Sequence, residues 1–163
     1  MTMSGALRVV RCPLLIGRDE LLDLVDRRIE DVAAGHGQFL LLAGQAGIGK
    51  TRFLGAIIRK AEQRGFAAIG GAVSPQDQDV PAASILDMAR SMLRAPEFAT
   101  LGERLLELDP AAVSGQHVRR RRLVTEAVEL ILSSLPGPTM LSFEDLHWTD
   151  DISLEIIAEL ARR

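Results

Sequence analysis

The sequence predicts an α/β fold in which helices pack on both faces of a parallel sheet. An apolar run of strand length, residues 38–43, leads into a glycine-rich loop and then into a segment with apolar residues at helical spacing. A second candidate strand, 66–73, follows that helix, and a third, 139–145, ends in two acidic residues. Strand, helix and strand in succession predict a right-handed parallel crossover. We therefore expect a three-layer α/β/α arrangement with about three strands.

Composition agrees with one globular domain. The chain has 163 residues, of which 47% are hydrophobic and 25% charged. The formal net charge of −3 gives no support to nucleic-acid binding by this segment as a whole. A single cysteine, Cys12, excludes an internal disulfide and fits a reducing compartment. No apolar run has the length of a membrane span or of a signal core, so we expect a soluble, cytoplasmic protein without membrane contacts.

The helices follow from apolar spacing and from the residues that end each run. Residues 1–13 show no periodicity and are expected to form a leader. The pattern predicts six helices, over 21–32, 51–61, 82–93, 98–108, 119–135 and 152–162. Glycines end the first two, at 35–37 and at Gly65, and Thr149 or Asp150 is expected to cap the last. The pair 82–93 and 98–108 forms a helical insert between the second and third strands, where substrate or partner contacts could lie.

Residues 44–51, Gly-Gln-Ala-Gly-Ile-Gly-Lys-Thr, fit the phosphate-binding pattern G-x-x-x-x-G-K-[ST]. Glycines let the backbone N–H groups converge on an anion, and the following helix adds unpaired N–H donors and its dipole. Lys50 is expected to reach the β- and γ-phosphates and the Thr51 hydroxyl to ligate Mg²⁺. The expected nucleotide-binding residues of this stretch are Gly44, Gln45, Ala46, Gly47, Ile48, Gly49, Lys50, Thr51 and Arg52.

The third strand supplies a second functional signal because it ends in Glu144 and Asp145. Carboxylates at the C-terminal end of a parallel strand lie at the edge where α/β sheets bind ligands. One of the two can hold Mg²⁺, usually through water, and the other can orient an attacking water. The alternative is an ordinary turn at the end of a strand, which explains such a pattern equally well when it stands alone.

Three other features keep two interpretations each. The run 119–122 of four arginines is either a solvated helix start that pairs with nearby acids, or it turns one arginine towards the nucleotide or an acidic partner. Trp148 is either a core anchor or a residue that faces the nucleotide. His147 is close enough in sequence to Glu144 and Asp145 to sense a γ-phosphate, although its position alone does not show that it does.

Residues 16–20, 44–51 and 143–150 together resemble the ATPase domain of the large ATP-binding LuxR-type transcriptional regulators. These regulators belong to the signal-transducing (STAND) branch of the AAA-like P-loop NTPases, close to the Orc-type AAA ATPases. The resemblance runs from about Leu14 to residue 163 and implies that the Gly17–Arg18 turn lies near the adenine. It places Glu144 at the position of the Mg²⁺-associated acid and Asp145 at that of the water-orienting acid. Most P-loop ATPases have Asp then Glu there, so the division of labour between Glu144 and Asp145 stays open, and the shorter Asp145 favours slow turnover.

The resemblance also implies that residues 14–163 form a P-loop NTPase-type domain that is incomplete. In the family a further strand follows the acidic strand in sequence, and one of its residues senses the γ-phosphate. In the sheet that strand lies between the phosphate-loop strand and the acidic strand. This sequence ends at residue 163, before the position of this strand. We therefore expect unpaired strand edges, with a cost in stability and solubility. The lid and the DNA-binding helix-turn-helix of such regulators also have no counterpart here, so DNA would be contacted only through domains absent from this chain.

The leading hypothesis is an ATP-binding module of a signal-transducing regulator, with ATP and Mg²⁺ held by the loop and by Glu144 and Asp145. Lys50, Glu144 and Asp145 would support a hydrolysis that is slow or that depends on missing parts. Self-association through this domain is a further expectation. Two alternatives remain: a phosphotransferase that uses the insert 82–110 as a lid over a small acceptor, and an inactive remnant of a longer protein.

Overall fold

A computed structural model describes residues 17–77, 79–113 and 117–163. The expected leader at 1–13, with Cys12, and the first residues of the resemblance, Leu14 to Ile16, lie outside the described residues. The helices are α1 Asp19–Ala33, α2 Lys50–Gln63, α3 Ala83–Met92, α4 Ala99–Leu106, α5 His117–Ser134 and α6 Asp151–Leu160. The strands are β1 Ala67–Ala72 and β2 Thr139–Glu144, and short 3₁₀ turns lie at Pro75–Asp77, Pro110–Val113 and Leu146–Trp148.

β1 and β2 form a parallel pair in which Ala67 lies opposite Thr139 and Ala72 opposite Glu144. This pairing confirms the second and third predicted strands, each to within one residue of its ends. Because the strands are parallel, their C-terminal ends meet at one edge of the sheet. The α/β class predicted from the sequence is confirmed, with helices flanking a parallel sheet.

The predicted strand over 38–43 does not form. This segment has no strand pairing, and the sheet of the described residues contains two strands rather than the expected three. Phe39 is 58% exposed and Leu41 68% exposed, although both belong to the apolar run that suggested a buried strand. A strand needs a neighbour to hydrogen-bond its backbone, and the described part of the chain places no strand beside this segment. Leu42 alone packs partly inward, against the cluster formed by α1 and α2.

The two faces of the sheet pack against different helices. Ile69, Leu141 and Phe143 lie on one face and pack against the larger core, which α3, α4, α5 and α6 build around residues such as Met88. Met140 lies on the other face and packs against the smaller cluster of α1 and α2. The alternation follows the two-residue period of a strand. The result is the predicted three-layer arrangement, with α1 and α2 in one outer layer.

α3 lies unusually close to β1 because the strand presents a glycine to the helix. A Cβ atom on Gly71 would be 2.4 Å from the carbonyl oxygen of Ser84 and 3.0 Å from the nitrogen of Met88. Both neighbours are backbone atoms, which cannot give way without moving the helix. Gly71 therefore has a packing reason in β1, although a glycine generally weakens the interior of a strand. None of the described helices combines the length and apolar character that a membrane crossing needs.

Candidate functional site

Residues 44–51 form a turn that only glycines adopt easily. Gly47 has a φ of 78° and Gly49 a φ of 90°, both in the left-handed region. Gly49 is the N-cap of α2, and no side-chain hydrogen bond caps the helix there. The first turn of α2 therefore offers its N–H groups and the positive end of its dipole to whatever lies in front of it. A Cβ on Gly44 would come within 3.3 Å of the Ile48 side chain, so the loop is also narrow.

Lys50 folds back into this loop. Its ammonium donates hydrogen bonds to the carbonyl oxygens of Gly44, at 2.9 Å, and of Gln45, at 3.1 Å. The charge is therefore held at the loop, where an incoming anion would compete with two neutral carbonyls for it. Thr51 and Arg52 follow in the first turn of α2, and both are exposed. The loop thus combines an uncapped helix start, left-handed glycines and a cation, which together suit a polyphosphate.

The residues that could hold a metal ion are few. Across residues 17–77, 79–113 and 117–163, no group of three or more His, Cys, Asp and Glu side chains could hold one by itself. Mg²⁺ that arrives with a nucleotide takes most of its ligands from phosphates and water and only one or two from the protein. The exposed Thr51 hydroxyl beside the loop suits such a site.

The acidic pair lies at the C-terminal edge of the sheet. Glu144 is the last residue of β2, and Asp145 follows it with a φ of 55°, one of two non-glycine residues with positive φ in the described chain. Aspartate tolerates this left-handed conformation better than most residues, and it turns the chain sharply after the strand. The Asp145 carboxylate is 61% exposed and lies 4.0 Å from Nδ1 of His147.

The structure does not join the acidic pair to the loop by a direct contact. Among the described residues, Glu144 and Asp145 have no hydrogen bond or ion pair to residues 44–51. A ligand would have to bridge the two parts. Trp148 is half-buried, and its ring lies 4.9 Å from that of His147 at an angle of 47°. It is therefore not a fully buried core anchor.

Asp150 joins two helices. Its carboxylate accepts hydrogen bonds from the N–H groups of Ile152, at 2.9 Å, and Ser153, at 3.0 Å, and from the Ser153 hydroxyl at 2.6 Å. It also accepts from the N–H groups of Ala82, at 2.9 Å, and Ala83, at 3.1 Å, at the start of α3. The predicted cap of α6 is thus confirmed, and the same side chain also caps α3. It fixes the segment that follows Glu144 and Asp145 to the helical insert.

An ion cluster holds α1 against α2, the helix that begins with Lys50. Asp26 lies 2.6 Å from the Lys60 ammonium and 2.7 Å from Nη1 of Arg64. The hydrogen bond from Lys60 lowers the pKa of the Asp26 carboxyl below its ordinary value, and Arg64 adds to the effect, whereas partial burial opposes it. The cluster therefore stabilises the position of α1, which begins directly after Arg18.

The four arginines at 119–122 have two interpretations, a solvated helix start that pairs with nearby acids or an arginine turned towards a ligand or partner. Arg120 makes a forked contact with Glu155, with Nη2 at 2.8 Å and Nε at 3.1 Å from the two carboxylate oxygens. This pairing with an acid of α6 supports the simpler interpretation for that residue. Arg119, Arg121 and Arg122 are exposed on α5.

Two contacts near the candidate site were not predicted from the sequence. The Arg18 side chain, expected near the adenine, donates to the carbonyl oxygens of Ile48 and Gly49 in the loop. Thr149 or Asp150 was expected to cap α6; Asp150 does so, and it also accepts hydrogen bonds from the start of α3. Both contacts join residues 30 or more positions apart, and no local pattern announces such a partner. Expected roles in binding nucleotide or Mg²⁺ for the loop, for Gly17 and for Glu144 and Asp145 remain predictions.

A family model described as an AAA ATPase domain matches residues 14–163. A curated relative, Uncharacterized protein R02095 of Rhizobium meliloti (strain 1021), is 27% identical over 177 aligned positions, which cover 91% of this chain and 17% of that protein. The chain therefore spans less than a fifth of the length of this relative. No solved structure matches this chain.

Proposed function

Because the chain belongs to the AAA ATPase domain family, a family of nucleotide-binding modules, we propose that it binds Mg-ATP between residues 44–51 and the acidic pair Glu144 and Asp145. One observation carries the proposal. The loop places two left-handed glycines, an uncapped helix start and the Lys50 ammonium together. Each of these features favours an anion, and together they suit the several charges of a triphosphate.

The roles that we propose for the site residues combine the resemblance with the positions of these residues. Lys50 would exchange the carbonyls of Gly44 and Gln45 for the β- and γ-phosphate oxygens. Thr51 would hold Mg²⁺ directly and Glu144 through water, and the ion would neutralise charge on the triphosphate. Asp145, exposed and turned off the end of β2, would orient a water. The Gly17–Arg18 turn, beside the loop, would lie near the adenine.

Any hydrolysis would be a direct displacement by water. The water oxygen forms a bond to the γ-phosphorus, the bond from that phosphorus to the β–γ bridging oxygen breaks, and ADP leaves with that oxygen. The proton of the attacking water passes to solvent or to a phosphate oxygen, with Asp145 orienting the water. Aspartate reaches less far than glutamate, and an arginine that stabilises the transition state is commonly supplied from elsewhere. Turnover by this chain is therefore expected to be slow.

The biological role that we propose is that of an ATP switch within a signal-transducing transcriptional regulator. The segments 44–51 and 143–150, on which the resemblance rests, support this role, and the curated relative is several times longer than this chain. The net charge of −3 argues against DNA contact by this module, so DNA would be bound by other domains. Nucleotide state would instead change contacts between modules, including those between copies of this one.

Equilibrium binding tests the proposal. Titration of the chain with Mg-ATP should give saturable binding that Lys50→Ala weakens at least tenfold, about the loss of one charged contact to phosphate. Arg27→Ala is a matched control, because it removes one positive charge from an exposed position on α1. Equal affinities of the wild type and Lys50→Ala would refute the assigned site.

The products of a long incubation separate the related hypotheses. Free phosphate would support a hydrolytic switch, whereas a phosphorylated small acceptor would support a phosphotransferase. Glu144→Ala should weaken the Mg²⁺ dependence of binding, while Asp145→Ala should reduce phosphate release without changing affinity. The opposite pattern would exchange the roles of the two acids.

A further inference from the structure

Arg18 makes a contact with the loop that differs from contact with a nucleotide base. Its guanidinium extends from the start of α1, where Nη1 donates to the carbonyl oxygen of Gly49 at 3.2 Å and Nη2 donates to that of Ile48. Its Cζ atom also lies 5.5 Å from the centre of the Phe53 ring, in a cation–π arrangement. The guanidinium is thus fixed on two sides, by two loop carbonyls and by the ring of Phe53 on α2.

Holding these carbonyls orients the opposite ends of their peptide groups. In a planar trans peptide the C=O of one residue and the N–H of the next point in opposite directions. The carbonyls of Ile48 and Gly49 therefore face Arg18, and the N–H groups of Gly49 and Lys50 face away from it. These two N–H groups belong to the set that would converge on a phosphate.

The contribution of Arg18 is greatest at the peptide that the helix does not hold. The Gly49 carbonyl also accepts the first helical hydrogen bond, from the N–H of Phe53 at 3.0 Å. The carbonyl of Ile48 lies outside that helical bonding, and Ile48 stands between two glycines with positive φ. A peptide between two such glycines rotates easily, so an external contact is needed to keep one orientation.

The contact depends on the shape of arginine. A guanidinium offers several N–H donors in a rigid plane and can contact two acceptors while it stacks on an aromatic ring. A lysine ammonium is a single point of charge on a flexible chain and would satisfy one carbonyl at a time. Phe53 is 5% exposed, so the surface on which the guanidinium rests is itself held in the smaller core.

We propose that Arg18 is a positioning residue that presets the phosphate loop, by holding the Ile48 and Gly49 carbonyls so that the following N–H groups point into the anion site. This inference rests on the proposed nucleotide site, and it assigns the Arg18 side chain to the loop rather than to recognition of adenine. It predicts that the effect of Arg18 on affinity does not depend on whether the ligand has a base.

The test compares Mg-ATP with inorganic tripolyphosphate, which offers a phosphate chain without adenosine. Arg18→Ala should weaken the binding of both ligands by the same factor, about tenfold for the loss of a preset loop. Arg18→Lys should lie between the wild type and Arg18→Ala, and Arg27→Ala should bind both ligands as the wild type does. A loss confined to ATP would overturn the inference, because it would mean that Arg18 recognises the adenosine. Unchanged affinity of Arg18→Ala for both ligands would overturn it as well.

A measurement without ligand separates this inference from the proposed function. Amide hydrogen exchange at Ile48 and Phe53, whose N–H groups donate to the carbonyl oxygens of Gln45 and Gly49, should be several-fold faster in Arg18→Ala than in the wild type, while exchange in α6 stays unchanged. If the wild type binds neither ligand and exchange at the loop still increases, the nucleotide site is refuted and the positioning role stands. If the wild type binds both ligands and Arg18→Ala changes neither exchange nor affinity, the positioning role is refuted and the nucleotide site stands.

Discussion

Replacing Asp150 by alanine should destabilise the fold strongly, because one carboxylate serves the beginnings of two helices. Asp150 accepts four backbone hydrogen bonds, two from the start of α6 and two from residues Ala82 and Ala83 at the start of α3. Ala82 has a φ of 59°, a conformation that an alanine adopts only when its surroundings enforce it. Alanine at position 150 would leave the N–H groups of Ala82, Ile152 and Ser153 without their partner in a region that is largely shielded from water, whereas the N–H of Ala83 would keep the Val80 carbonyl at 3.2 Å.

The magnitude follows from the cost of losing a helix cap. One N-cap side chain contributes about 1 kcal/mol and at most about 2 kcal/mol. Two caps are lost together, so the free energy of unfolding should fall by about 2–4 kcal/mol. In a domain of this size each kcal/mol corresponds to about 2–4 °C in Tm, so Tm should fall by about 5–15 °C.

Asp150→Asn and Asp151→Asn make the prediction specific. Asparagine keeps one acceptor oxygen, which in the place of Oδ1 would serve Ala82, Ile152 and Ser153, so about half of the loss is expected. Asp151 is the neighbouring exposed aspartate of α6, and its substitution removes only a favourable charge near the helix dipole, worth about 0.5 kcal/mol. Thermal and urea unfolding followed by circular dichroism would measure all three. If Asp150→Ala unfolded within about 2 °C of Asp151→Asn, the double cap would be refuted.

Three further predictions concern the contact of β1 with α3, the ion pair between α1 and α2, and the exposed apolar segment 38–43. Gly71→Ala should lower the free energy of unfolding by about 2–3 kcal/mol, because the added Cβ would collide with the Ser84 carbonyl. Gly37→Ala is the control and should cost little, because the space around Gly37 is open. Equal losses in urea unfolding would contradict the close packing of α3 on β1. Asp26→Asn should cost about 1 kcal/mol at neutral pH. Folding lowers the pKa of Asp26 beneath 3.8, so the difference in stability between the wild type and Asp26→Asn should persist above about pH 4. This difference should vanish as the pH falls through the lowered pKa. A difference in Tm that does not depend on pH would exclude the ion pair with Lys60. Leu41→Lys should reduce self-association in sedimentation experiments, because Leu41 is 68% exposed in an apolar run; unchanged association would place the contact elsewhere.

The helices could be predicted from the sequence because the signals that define them are local. The apolar spacing of α2 and its ending at Gly65, whose φ is 81°, belong to neighbouring residues, and the structure places that helix at Lys50–Gln63. β1 and β2 were also predicted, since each is an apolar segment between turn residues and the two pair with each other. The packing of Gly71 on α3 was not predictable, because a glycine in a strand has no side chain that points to its neighbour.

The same distinction between local signals and long-range contacts applies to the candidate site. The conformation of residues 44–51 follows from its glycines and from the helix that begins at Lys50, so a short pattern was enough to predict it. The partners of Arg18 and the second cap made by Asp150 depend on which segments the fold brings together, and a single sequence does not contain that information in any local window. The exposed turn at Asp145 was predicted only as the end of a strand.

The failure of 38–43 to form a strand, beside a loop that does form, shows that the two depend on different interactions. A strand is stabilised by hydrogen bonds to another segment, and each apolar side chain adds to stability only when the face on which it lies is covered. Here Leu42 alone reaches the cluster of α1 and α2, while Phe39 and Leu41 stay exposed. The loop instead takes its shape from glycine φ angles, from the first turn of α2 and from Arg18, none of which requires a paired strand in front of it. A backbone segment that pairs with 38–43 should therefore stabilise the sheet more than it changes the phosphate loop, whose orientation Arg18 already holds.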